Sequence, residues 1–346
     1  MTAITIRRPD DLHLHLRDGE LMRSVLPFTA ARFARALVMP NLRPAVTAAE
    51  QALAYRQRIL DALPAGMTFE PLMTLYLTDR TDAAEVDRAA ASGGIVGFKL
   101  YPAGATTHSD AGVTNIRRVD AVLARMEERD LVLEVHGEVT DPTVDVFDRE
   151  ARFIDEVLAP LTARVPRLRI VFEHITTRAA VEFVLGSRAG IAATITPQHL
   201  LMNRNALFAG GIRPHHYCLP VLKSEDDRAA LVEVVASGDP RFFLGTDSAP
   251  HARGAKEAAC GCAGIFSAHG AIELYAEAFE SAGVLDRLEA FASEHGADFY
   301  RLPRNTGRLT LVKGPWEVPR SYPFGNETLV PLRAGEHIGW QLAEKQ

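Results

Sequence analysis

Six side chains in this 346-residue sequence could share metal chemistry if the fold gathers them: His13, His15, Lys99, His136, His174 and Asp247. His13 and His15 stand two residues apart in DLHLHL. In a strand that spacing puts both imidazoles on one face. The others end short apolar runs: Lys99 in GFKLYP, His136 in EVHGE, His174 in FEHIT and Asp247 in LGTDSAPH. Each alone has a plainer use. A strand histidine is commonly just hydrogen-bonded, Lys99 could pair with a carboxylate, and Asp247 could cap a helix. Together, falling at five strand ends, they point to a metal centre. Imidazoles and a carboxylate with no thiolate suit a borderline ion such as zinc. Six ligands exceed one tetrahedral ion, so the set implies two zinc ions. A lysine ammonium would repel them, whereas burial and nearby cations favour the neutral amine. A neutral amine can add carbon dioxide, and the resulting N6-carboxylysine at Lys99 could bridge both ions. A water between the same ions would be acidified toward hydroxide, with Asp247 exchanging its proton.

The elements that must position these residues are legible as a rhythm. Eight apolar, β-branched runs occur, at 11–16, 34–41, 69–77, 94–102, 131–138, 168–175, 191–198 and 241–250. Near-continuous apolar strands are what a sheet buried on both faces requires. Amphipathic stretches at 47–63, 113–129, 144–161, 225–237 and 266–282 read as helices between or after them. Ile116, Val119, Val122, Leu123 and Met126 keep helical spacing. Repeated strand–helix alternation predicts an α/β fold of the (β/α)8 TIM-barrel type, with active-site groups at the C-terminal strand ends. An open doubly wound sheet would more often carry a Gly-rich phosphate turn after its first strand, and LRDGELM has none. We read residues 1–346 as one barrel domain, with 302–346, rich in Pro and Gly, as a C-terminal extension packed on it.

Composition narrows the function classes. Hydrophobic residues at 47% and charged residues at 24% fit a globular chain with a large core rather than a disordered one. A net charge of −6 argues against a nucleic-acid partner. The apolar runs are too short and too polar for a membrane partner. MTAITIRRPDDLHLHLRD lacks the apolar core of a secretory signal, and three cysteines cannot close a disulfide framework, so the expected location is cytoplasmic.

Longer strings carry a resemblance. The HxH strand, the strand-four lysine, the two later histidines and the strand-eight aspartate resemble the binuclear zinc branch of the amidohydrolase superfamily. RRPDDLHLHLRDG, VMPN, KLYPAGATT, VHGEVT, FDREARFI, FEHITT, ATITPQHL, NRN, RPHHYCLP, FLGTDSAPHA and KEAACGCAG occur in order from about residue 6 to 265. This series is similar to the stand-alone bacterial dihydroorotase family.

The resemblance implies roles. His13 and His15, with Asp247, would bind the more buried zinc, and His136 and His174 the second, with carboxylated Lys99 bridging. Arg17 would clamp a substrate carboxylate, joined by Asn41 and His251. His136 would also face substrate, and backbone groups of Leu219 and Ala263 would read the pyrimidine ring edges. Thr106 and Thr107 would belong to a lid loop. The small-molecule substrate would be N-carbamoyl-L-aspartate, cyclised reversibly to (S)-dihydroorotate plus water in pyrimidine biosynthesis. Asp247 would act as general acid/base to the bridging hydroxide. No organic cofactor is called for, and the family implies a homodimer. The alternative is another cyclic-amide hydrolase, of hydantoinase, dihydropyrimidinase or allantoinase type, whose substrates lack the acid group for Arg17.

Other polar residues read as structural. His199 is expected to hydrogen-bond within the core. His215 and His216 are expected to support or pack the loop before Leu219. Cys218, Cys260 and Cys262 are expected as reduced thiols, because their spacing does not match zinc ligation. Glu134 and Glu173 precede ligands and are expected to point away from them.

Overall fold

A computed structural model describes residues 2–343. The chain enters through β1 (Ala3–Arg7) and then lays down eight strands. These are β2 (Asp10–Leu14), β3 (Arg35–Val38), β4 (Glu70–Leu77), β5 (Ile95–Leu100), β6 (Val132–Val135), β7 (Ile170–Phe172), β8 (Ile191–Ile195) and β9 (Phe242–Leu244). They are parallel and pair in sequence order from β2 to β9. Each lies within, or one residue outside, one of the eight expected apolar runs.

The seam closes just beyond β9. Leu14 bridges Ser248, His15 N–H donates to Ser248 O (3.1 Å), and Asp247 N–H donates to His13 O (2.9 Å). The closure therefore places His13, His15 and Asp247 side by side at the C-terminal mouth. A small apolar plug of Leu12, Leu37, Met39, Leu72, Val132, Val171, Ala192 and Phe243 packs together with Tyr300. The outer strand faces pack against the helices in one continuous core.

The expected helices form, with adjusted ends. They include Ala49–Asp61, Asp120–Arg129, Glu225–Ser237 and Ala271–Ser281. The stretch expected at 144–161 starts later, at Arg149, and runs through a π-helical turn (Ile154–Leu158) to Arg164. Three helices of nine or more residues, Gly19–Arg32, Ala83–Ala91 and Arg178–Gly186, lie outside the expected stretches. Gly19–Arg32 contains Pro27, and Ala83–Ala91 buries only Glu85, Val86 and Ala89.

The C-terminal segment is more ordered than its composition implies. β10 (Arg308–Glu317) pairs antiparallel with β1 on one side, and with a later strand, His337–Leu342, on the other. A hairpin of β11 (Tyr322–Phe324) and β12 (Glu327–Leu329) lies between, which makes the last strand β13. Leu311, Ile338 and Trp340 are fully buried, so the first and last strands are tied together through β10. Gly314 and Pro315 interrupt the β10 alternation and hid it. Residues 344–346 of the expected extension lie outside the described residues.

Candidate active site and metal centre

The mouth is built first at the seam. His13 and His15 approach with Nε2 atoms 3.3 Å apart, and Asp247 Oδ1 lies 3.4 and 3.2 Å from them. All three residues are buried. Asp11 fixes the arrangement from below: its carboxylate accepts from His13 N–H (3.2 Å), Thr246 N–H (2.8 Å) and Thr246 Oγ1 (2.6 Å). Gly245 lets the strands close, since a Cβ there would lie 2.8 Å from Thr194 Cβ and 3.1 Å from His13 Cβ. Asp247, His174 and Arg17 all hold positive φ (45°, 44° and 64°), uncommon backbone for non-glycine residues and frequent at functional sites.

His174 joins from the end of β7. Its ring centroid lies 4.9 Å from that of His13 and 4.8 Å from that of His136. Its Nδ1 is buried without a hydrogen-bond partner. Its turn is held by Glu150, whose carboxylate accepts from the amides of Thr176 and Thr177 and from both hydroxyls at 2.6–3.0 Å. Burial drives the His13 and His174 pKa values well below the ordinary imidazole range, aided by Lys99. Neutral imidazole is the ligand form.

Lys99 is fully buried, with its ammonium paired to Glu173 and 5.1 Å from the Tyr101 ring centre. Burial lowers its pKa to about 7. The pairing corrects the expectation that Glu173 points away: its Oε1 lies 2.9 Å from His13 Nδ1, without hydrogen-bond alignment. By strand alternation it shares the inner face with Val171 of the apolar plug, and the positive φ of His174 brings the next side chain to the same mouth. Glu134 also faces the barrel interior, accepting from Thr74 Oγ1 (2.8 Å) and Tyr300 OH (3.4 Å). Two residues separate it from His136, so strand alternation puts them on one face; expecting it to point away misapplied that period. Gly97 makes room, because a Cβ there would lie 2.2 Å from Glu134 Oε1.

Two donor groups converge to within 4.8 Å, one of His13, His15 and Asp247, the other of His13, Glu173 and His174. His136 stands beside His174, but its Nε2 lies 2.8 Å from Glu138 Oε2. Glu138 and Glu173 are thus polar residues of the site that sequence reasoning missed. The VHGE spacing, with Glu138 two residues beyond His136, was the available signal.

One cavity is lined by His13, His15, Arg17, Asn41, Thr106, Thr107, His136, His174, Leu219, Asp247 and Ala263, with Tyr101, Ala249 and Gly264. His251 stands at its edge, with Nε2 3.0 Å from both Arg17 Nη2 and Ala263 O. Arg17 Nε donates to Pro250 O (2.9 Å). Among the described residues no carboxylate is ion-paired with Arg17. Asn41 Oδ1 meets His15 Nδ1 (2.9 Å), and its amide donates to Thr107 O (3.2 Å). Thr107 Oγ1 donates to Ala263 O (3.4 Å), so the loop lies across the cavity.

His199 is structural as expected, placed between Thr196 Oγ1 (2.7 Å) and Pro220 O (3.1 Å). His215 meets Glu257 (3.0 Å) and His216 meets Ala206 O (2.8 Å). The cysteines are free: Cys218 is buried, and Cys260 Sγ lies 3.6 Å from Cys262 Sγ.

A barrel with histidines and an aspartate at one mouth defines an amidohydrolase, and the amidohydrolase family model matches residues 6–314. A dihydroorotase of Laribacter hongkongensis is 68% identical over 344 residues, covering 99% of this chain and all of the relative. The crystal structure of dihydroorotase from Campylobacter jejuni superposes with a TM-score of 0.91 at 36% identity, covering 99% of this chain and 98% of that one. That of dihydroorotase from Saccharomyces cerevisiae, in complex with 5-fluoroorotic acid, gives 0.91 at 30% identity, covering 99% of each chain. The chain belongs to the dihydroorotases of the amidohydrolase family.

Proposed function

We propose that this enzyme interconverts N-carbamoyl-L-aspartate and (S)-dihydroorotate plus water, the cyclisation step of pyrimidine biosynthesis. The observation that carries the reading is Arg17: a guanidinium with no carboxylate partner among the described residues, lining the same cavity as His13, His15 and Asp247. A substrate carboxylate fits its planar fork. Hydantoins, dihydropyrimidines and allantoin lack that group, which sets the hydantoinase-type alternative aside.

The donor set fits divalent ions. Two buried imidazoles and a carboxylate converge, and the buried Nδ1 of His174 has no other partner. His13, His15 and Asp247 would hold one zinc, and His136 and His174 a second, with Lys99 as a carbamate between them. Bound there, the ions would supply Lewis acidity and an acidified water. The chain does the rest. Arg17, Asn41 and His251 hold the carboxylate, while Leu219 and Ala263 present backbone groups to the ring. Asp247 moves a proton between the attacking water and the ring nitrogen. The loop with Thr106 and Thr107 excludes solvent. Partial neutrality of Lys99 near pH 7 suits carbamate formation.

No helix among the described residues is long and apolar enough to cross a membrane. We read the enzyme as a cytoplasmic homodimer; light scattering of the purified protein tests the oligomer. The functional test is a spectrophotometric assay of dihydroorotate turnover alongside hydantoin and dihydrouracil. The reading expects strong preference for dihydroorotate, and preference for either uncharged ring would contradict it.

A further inference from the structure

Lys256 is buried at 3% exposure on a short helical turn (Arg253–Lys256) five residues past His251. Its three ammonium protons meet three backbone carbonyls: Tyr217 O at 2.7 Å, Cys262 O at 2.8 Å and Gly264 O at 2.8 Å. An ammonium has three donors, so its hydrogen-bonding capacity is used within the backbone. Among the described residues it has no carboxylate partner. Two segments are braced at once, one leading to Leu219 and one centred on Ala263. They also join directly, Gly264 N–H donating to Tyr217 O at 3.0 Å.

The arrangement decides where Ala263 points. The carbonyls on both sides of it, of Cys262 and Gly264, are drawn to one cation. The Ala263 carbonyl is left for the cavity side, where Thr107 Oγ1 of the loop donates to it and His251 Nε2 lies 3.0 Å away. Cys262 (φ 26°) and Gly264 (φ 150°) occupy backbone conformations rare for side-chain-bearing residues. A Cβ at Gly264 would lie 2.6 Å from Ala249 O and 2.9 Å from His251 Cδ2. Such a backbone persists only where its surroundings over-determine it, and the Lys256 cation binds the carbonyls of both residues.

We propose that Lys256 is a positioning residue for substrate recognition, one that turns the Ala263 carbonyl into the cavity and sets the landing point of the Thr107 loop. The proposal deepens the dihydroorotase reading and rests on it for the identity of the ligand.

The test uses the metal-loaded full chain with Lys256→Met and Lys256→Arg. Methionine removes all three donors. Arginine keeps the charge, but its planar fork cannot direct donors at three carbonyls gathered round one nitrogen. Both variants are expected to keep wild-type metal content and a kcat within about threefold, and to raise KM for dihydroorotate about tenfold or more. Hydrogen exchange is expected to show ligand-induced protection of residues 104–109 in wild type and its loss in both variants. A folded variant with wild-type KM and normal loop protection would overturn the proposal. Should neither variant fold, exchange in the wild-type chain decides it. Amides 262–264 must be slow without ligand, and a platform exchanging as fast as residues 104–109 would sink the clamp. That ligand-free measurement is independent of turnover, so an enzyme inactive on dihydroorotate would count against the functional reading and not against this one.

Discussion

Asp11 accepts both the amide and the hydroxyl of Thr246 across the barrel seam, at 2.8 and 2.6 Å. The pair joins the start of the first barrel strand to the turn after the last one, next to His13 and Asp247. Loss of one partner of a buried hydrogen bond costs about 1–3 kcal/mol, and outer residues that orient ligands affect metal affinity by about 10–100-fold. Asp11→Asn is therefore expected to lower unfolding free energy by that amount and weaken metal retention. Denaturant melts and metal analysis measure both; wild-type values for each would show that the seam does not need this contact.

Arg17→Met should leave metal content intact and reduce kcat/KM for carbamoyl aspartate by about two to three orders of magnitude, the scale of a lost charged clamp of roughly 3–4 kcal/mol. Steady-state kinetics in both directions provide the check. Unchanged constants would remove Arg17 from substrate binding.

Lys99→Ala deletes the buried amine and leaves Glu173 without its ammonium partner. The expected outcome is loss of most bound metal and of activity, with partial recovery on adding a small carboxylate such as acetate or propionate. A variant that kept full activity and two metal ions per chain would refute the bridging role of this side chain.

The terminal sheet makes a separate prediction. Trp340 is fully buried, its indole N–H donating to Glu280 Oε2 at 3.1 Å. Trp340→Ala should cost about 3–5 kcal/mol, because β13 anchors β10 and, through it, β1. Metal content per folded chain should stay the same, since the sheet lies outside the metal-binding mouth. Thermal melts that matched wild type would mean that this segment is a passive appendage.

The parts of this molecule that follow period-two or period-3.6 spacing could be read from sequence. The HxH pair, the strand-end lysine and the strand-end aspartate follow from strand alternation and barrel geometry, and the eight barrel strands from their apolar runs. What escaped depends on bends and on distant partners. His174 reaches the mouth beside Glu173 because the chain turns there, and Glu150 supports that turn from 26 residues away. Lys256 acts through backbone carbonyls, whose directions no side-chain pattern encodes. The antiparallel β1–β10 pairing joins residues about 300 apart, and Gly314 and Pro315 break the alternation that would have marked it.

If the imidazoles, Asp247 and Lys99 hold the metal ions on which dihydroorotate turnover depends, removing those ions must abolish it. The direct measurement is dihydroorotate hydrolysis by protein stripped with a chelator, then titrated with zinc in bicarbonate buffer, with bound metal counted at each point. Negligible turnover is expected in the stripped protein, with recovery that saturates near two ions per chain. Full turnover without metal, or a fully loaded protein inert toward dihydroorotate, would contradict that expectation.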